Sequence, residues 1–202
     1  MLILAADTSL PLLSVALLRD ETLLGALAIE GKGSRNEKLL PSIDWLLTES
    51  GTPRESIDVF AVTRGPGSFT GVRIGLATIQ GLALVLGKPV CAMSTHEAIA
   101  SEFSQHVAIV DDAGRGEFYV SEFEGGRETR APHLATAADR SHLHGHVVTV
   151  SAYLQRHNVA AGCGRRALEV HRAGLLERYA DATPIYVRLA EAEVKLQQKR
   201  DA

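Results

Sequence analysis

The sequence predicts an α/β protein built from mixed central sheets flanked by helices. Three observations carry this expectation. The N-terminus holds three apolar strand patterns in close succession, strands and helices alternate from Glu37 to Phe103, and further strand patterns resume at His106. A strand meander followed by helical crossovers gives a mixed sheet with helices on its faces.

The elements follow in order. Leu2 to Ala6 is a continuous apolar run, as a buried strand requires. After the turn "DTSLP", the runs "LLSVALL" and "TLLGALAI" flank the polar tip Arg19-Asp20-Glu21, which makes a three-stranded meander. From Glu37 to Ser50, Leu39, Leu40, Ile43, Leu46 and Leu47 recur at helical spacing, and Gly51 is a fitting stop. Pro41 must sit near the start of this helix or bend it, because deeper inside it forfeits a backbone hydrogen bond. "VFAVT" reads as a buried strand, Thr70–Leu86 as a long helix, "PVCAM" as a strand and Thr95–Phe103 as a helix. This order matches the ribonuclease-H-like core of actin and the sugar kinases, an analogy of topology that leaves function open.

The second half is less regular. "HVAIVDD" and "EFYVSEF" read as strands around the turn "AGRG", "VVTV" as another, and Arg165–Tyr179 as a helix. "PIYVR" and a charged final helix end the chain. The expected organisation is an N-terminal lobe over 1–103, a smaller α/β lobe over 104–185, and a C-terminal helix over 186–202 returning to the first lobe.

Composition narrows the function classes. Across 202 residues, 46% are hydrophobic and 22% charged, which supports a real core. A net charge of −3 argues against nucleic-acid binding through a broad basic face of its own. The two cysteines, Cys91 and Cys163, lack a CxxC neighbour, so a reducing cytoplasm fits better than a disulfide framework or zinc site. "MLILAA" breaks at Asp7 without a basic flank, and no apolar run approaches the roughly 18 residues of a membrane span.

The segment "RGPGSFTGVRIGLATIQG" resembles a glycine-rich phosphate loop opening onto a helix. Its glycines at 65, 67 and 71 nevertheless lack the lysine of a phosphate loop and the dinucleotide spacing. Two readings stand. Ser68 or Thr70 caps the helix and leaves first-turn amides for an anion, or the glycines serve a tight turn and close packing. Arg73 opposes the helix dipole at a cost of about 0.3–1 kcal/mol, which a neighbouring carboxylate or a partner-shared phosphate would offset.

Asp7-Thr8-Ser9 stands where actin-like ATPases place an acidic residue and a phosphate hairpin, and Asp111-Asp112 is the candidate second acidic corner. "AGRG" copies the second hairpin poorly. His142, His144 and His146 alternate but have no acid or cysteine at a ligand spacing, so no metal site is expected. His96 and Glu97 are adjacent on a helix and do not face each other. Around Ile74 to Leu86 the helix shows no polar face, so its far side needs another subunit to cover it.

"ILAADTS", "RNEKLLP", "TRGPGSFTGVRIGLATIQGLAL", "GEFYVSEF" and "PIYVR" together closely resemble the TsaB (YeaZ) family, in the right order over nearly the whole chain. The match is strong through Met93 and patchy from Asp111 onward. The resemblance implies a two-lobed actin-like fold and a non-catalytic scaffold. That scaffold pairs with the catalytic paralogue TsaD, is joined by the ATPase TsaE, and acts in making threonylcarbamoyladenosine in tRNA, which it meets only through the complex. It also implies a homodimer through the same two helices, Glu37–Ser50 and Thr70–Leu86. Their contact residues are then expected to be Leu39, Ile43, Leu46, Gly71, Ile74, Gly75, Thr78, Gly81, Leu82 and Val85. Residues for a nucleotide or anion are Asp7, Thr8, Ser9, Ser68, Arg73 and Asp112. No cofactor of its own is implied, ATP or ADP belonging at the partner junction or in partner subunits.

The paralogue's metal-binding His-x-x-x-His pair falls on Thr95 and Ile99, with His96 one place out of register, so no catalytic residue is expected. Two departures from the family pattern are Arg35, where histidine is common, and Gly114, where arginine is common. The rival reading is an independent actin-like, nucleotide-dependent phosphotransferase.

Overall fold

The computed structural model describes residues 1–30 and 35–188, so the expected final helix lies almost wholly outside the described residues. The first sheet opens with β1 (Leu2–Asp7), β2 (Leu12–Arg19) and β3 (Thr22–Glu30), followed by α1 (Arg35–Glu49), β4 (Val59–Thr63), α2 (Phe69–Leu86), β5 (Val90–Met93) and α3 (Thr95–Ala100). The second sheet holds β6 (Val107–Gly114), β7 (Glu117–Glu124) and β8 (Arg127–Thr136), then α4 (Ala137–Arg140), β9 (His146–Thr149) and α5 (Val150–Tyr153), before α6 (Val159–Arg172).

The strand orders are β3-β2-β1-β4-β5 and β8-β7-β6-β9. In the first sheet the meander is antiparallel, and β4 and β5 run parallel to β1. Every residue of β1 and β4 is buried, which is why both read as unbroken apolar runs rather than alternating ones.

Two helical layers cover this sheet. On one face, Leu39, Ile43 and Leu46 of α1 and Val72, Leu76 and Ile79 of α2 pack on Leu4, Val15, Leu17 and Phe60. On the other, α6 and α3 cover Ile3, Ala5, Ala16, Leu18 and Ala61. Pro41 lies in the second turn of α1 on its exposed side, where it forfeits one backbone hydrogen bond.

Besides the short helices α4 and α5, which no sequence pattern predicted, the second half departs from expectation in two places. The expected helix Arg165–Tyr179 starts earlier and ends earlier, as α6. Asn158 caps its N-terminus by accepting from the Ala161 amide at 2.9 Å, and the chain breaks at Gly174 before a short 3-10 turn at Leu176–Tyr179. The early stretch "VAAGCG" is small because it lies tight on the first sheet: a methyl group on Gly164 would overlap the Leu18 side chain. Asn158 Nδ2 also donates to the Leu27 carbonyl at 2.9 Å, and the Ala160 amide to Ser14 Oγ at 3.1 Å. The 104–185 lobe boundary therefore fails for this helix, which belongs by packing to the first lobe.

The second departure is β8. Its sequence "RETRAPHLAT" is charged, interrupted by Pro132 and mostly exposed, as an edge strand tolerates.

Candidate functional site

The glycine segment is locked onto the β1–β2 turn. Ser68 donates its amide to the Ser9 carbonyl at 2.7 Å, and Thr8 Oγ1 donates to the Gly71 carbonyl at 2.6 Å. Gly67 has φ +150° and faces the Ser9 carbonyl, so a side chain there is excluded on both counts. Methyl groups on Gly71 and Gly75 would overlap the Thr8 carbonyl and the Thr8 hydroxyl. Ser68 caps α2 by accepting from the Gly71 amide at 3.2 Å. The geometry matches the close-packing reading of these glycines.

This corrects several expected site residues. Thr8 is buried and committed to α2, so it is not free to hold a ligand. Asp7 is fully buried; its Oδ1 accepts from Ser9 Oγ at 2.5 Å, from the Ser9 amide at 3.2 Å and from Thr63 Oγ1. Ser9 Oγ and Thr95 Oγ1 share a further hydrogen bond of 2.8 Å. Burial pushes the Asp7 carboxyl above the usual carboxylate range, against the opposing hydrogen bonds from Ser9 and Thr63.

Ser9, Ser68 and Asp112 do come together, lining a cleft of about 530 Å³ between the two sheets with Asp111 and Tyr119. Asp112 Oδ1 accepts from the Gly114 amide at 2.7 Å. Burial, with the Asp112 and Asp7 charges behind it, pushes Asp111 up to about 6. Among the described residues neither lysine nor arginine lines this cleft. A phosphate placed there meets carboxylates, and none of the described lining residues is a cation to offset them.

Arg73 does not line this cleft. Its guanidinium lies 3.8 Å above the Phe69 ring centre, and Nε donates to the Tyr186 hydroxyl at 2.7 Å. The Phe69 and Tyr186 rings stack at 4.7 Å. Ring faces, not a carboxylate, accommodate this cation.

His96 is likewise internal. Nδ1 shares a hydrogen bond of 2.8 Å with Ser121 Oγ, Nε2 has no partner among the described residues, and burial pushes the imidazole down to about 3. His142, His144 and His146 are exposed, and among the described residues no three His, Cys, Asp or Glu side chains converge as a ligand set.

The remaining feature is the outer face of α1 and α2. Leu84 is 82% and Val85 83% exposed on α2, and Trp45 is 52% and Leu40 45% exposed on α1. Exposed apolar side chains this large on two adjacent helices make this face the candidate contact surface. Of the expected contact residues, Gly81 and Val85 are exposed, and Ile74, Thr78 and Leu82 are half-buried. Leu39, Ile43, Leu46, Gly71 and Gly75 point inward, because the helical period that makes them apolar turns them to the chain's own sheet. Leu40, Trp45 and Leu84 were the residues missed; the signal was an apolar side chain one position off the buried stripe.

α2 has the length and apolarity of a membrane span, but its inner face packs in the core.

A family model described as TsaD: tRNA N6-adenosine threonylcarbamoyltransferase matches residues 33–160. The chain belongs to this family. Within it, the similarity is to TsaB/YeaZ proteins. The tRNA threonylcarbamoyladenosine biosynthesis protein TsaB of Escherichia coli (strain K12) is 38% identical over 129 residues, covering 61% of this chain and 55% of that protein. TsaB of Bacillus subtilis (strain 168) is 33% identical over 127 residues, covering 61% and 56%. The matched stretch thus spans just over half the length of these relatives. YeaZ from Pseudomonas aeruginosa superposes with a TM-score of 0.72 at 27% identity, covering 92% of this chain and 99% of that one. The actin-like, two-sheet fold class expected from the element order holds in this TsaB/YeaZ chain.

Proposed function

We propose that the chain is a non-catalytic scaffold subunit that pairs, through the outer face of α1 and α2, with a TsaD-like catalytic paralogue. In this reading the assembly forms N6-threonylcarbamoyladenosine next to the anticodon of tRNAs that read ANN codons. A TsaE-like ATPase joins the pair, tRNA is met only in the complex, and ATP or ADP sits at the partner junction or in the partners. Alone, the chain forms a homodimer through the same helices. The observation that carries this reading is the high exposure of Leu84 and Val85 on α2 together with that of Trp45 on the adjacent α1. Leaving such side chains in water forgoes about 25 cal/mol per Å² of apolar area that a partner would cover.

Leu84→Asp is the direct test, because Leu84 touches little of its own chain, whereas Thr78 is half-covered. The variant is expected to stay folded by circular dichroism, run as a monomer in light scattering, fail to bind the paralogue, and support no adenosine modification in a reconstituted assay. Normal pairing by the folded variant places the partner face elsewhere. The rival phosphotransferase reading requires ATP turnover by the purified chain alone that disappears in Asp112→Ala; a cleft with carboxylates and no lysine or arginine among its described lining residues speaks against it.

A further inference from the structure

Two charges on the docking face have the wrong sign for their own helices. Arg73 lies near the positive N-terminal end of α2, and Glu49 is the last residue of α1, at its negative end. Both are exposed, and among the described residues neither has an ion-pair partner. Arg73 is also held in place. Its plane rests on Phe69 and its Nε is fixed by Tyr186, leaving both terminal nitrogens without an acceptor among the described residues. A guanidinium already ordered in this way loses little further freedom on binding, and its fork matches a carboxylate.

Arg73 belongs to the open stripe of α2. Ala77, Gly81, Leu84 and Val85 follow it on the same exposed side. Chain connectivity sets the relative direction of the two helices. α1 joins β3 to β4, both parallel to β1, and α2 joins β4 to β5, also parallel, so both helices run back against β1 and share one direction. When two copies pack these faces antiparallel, the N-terminal end of α2 in one meets the C-terminal end of α1 in the other. Resting on the reading that this face docks a partner, we propose that a second copy of the chain is held by a reciprocal ion pair between Arg73 of one copy and Glu49 of the other. Each charge then also meets the opposite helix end, and the two-fold pairing repeats the contact twice.

The test is a charge-reversal cycle on the full chain, with dimer dissociation measured by sedimentation and folding by circular dichroism. Arg73→Glu and Glu49→Arg are each expected to weaken dimerisation about tenfold or more, and the double variant to recover most of that loss. Dimerisation of the parent is expected to weaken with added salt. Leu84→Asp separates the two ideas. If it breaks the dimer while the reversals change nothing, or the double variant shows no rescue, the ion pair is refuted and the docking face stands. If Leu84→Asp leaves the dimer intact, both fall. A chain that stays monomeric at all concentrations, yet loses the paralogue on Arg73→Glu, overturns the self-pairing and assigns Arg73 to the paralogue.

Discussion

Thr8 shows how one side chain closes the contact between a loop and a helix. Its carbonyl and hydroxyl occupy the space that side chains at positions 71 and 75 would need. Gly71→Ala is therefore expected to destabilise the protein by about 2 kcal/mol or more, read as a lower urea midpoint, because backbone and not a flexible side chain is in the way. The presence of a glycine-rich turn was legible in the sequence, whereas the burial of Asp7 was not. Nor was the inward turn of Thr8, since no local pattern specifies which loop a helix start will press against. His96 makes a second residue-scale case. Unfolded, its imidazole takes a proton below about 6.5, whereas in the fold it stays neutral down to about 3. Stability is thus fully present above 6.5 and is lost as pH falls toward 3. His96→Gln is expected to flatten this acid limb in pH-resolved denaturation, and NMR of the parent at pH 5 is expected to show a neutral ring at His96.

Among the elements, α1 and α2 divide their apolar residues between two duties. Leu39 is fully buried, and Leu39→Ala is expected to cost about 2–5 kcal/mol of stability. Trp45→Ala is expected to leave thermal unfolding within about 0.5 kcal/mol of the parent while weakening association, measured by light scattering. Periodicity located both helices to within two residues at each end. It did not say which side of α2 faces inward, because that helix is apolar all round and the choice is made by Thr8 and the first sheet. α6 was misplaced for a different reason. Its buried side is built from alanine and glycine, which carry almost no hydrophobic signal, and close approach to Leu18 does the selecting. β8 escaped notice because an edge strand has no need to look apolar.

At the scale of the whole molecule, the two sheets meet around the cleft of Ser9 and Asp111, while the chain runs back over the first lobe. Ile185 donates its amide to the Arg64 carbonyl at 2.7 Å, and the Arg64 side chain reaches the Thr183 carbonyl at 3.2 Å. The element order made the two-sheet plan legible, but the 103/104 boundary was drawn from sequence order, and three-dimensional packing overrode it at α6. A fragment of residues 1–103 is consequently expected to lack cooperative thermal unfolding and to aggregate, whereas 1–188 unfolds in one transition. The same arrangement governs how the molecule comes into being on the ribosome. One face of the first sheet, with Ile3, Ala16 and Ala61, has to wait for a helix that ends at Arg172. Translation therefore exposes this sheet, complete at Met93 and bare of α6 on one side, for the time needed to make about eighty further residues at roughly 5–20 per second. During those seconds the nascent chain is a natural client for whatever shields apolar surface at the tunnel exit, and slowing its synthesis is predicted to lower its yield.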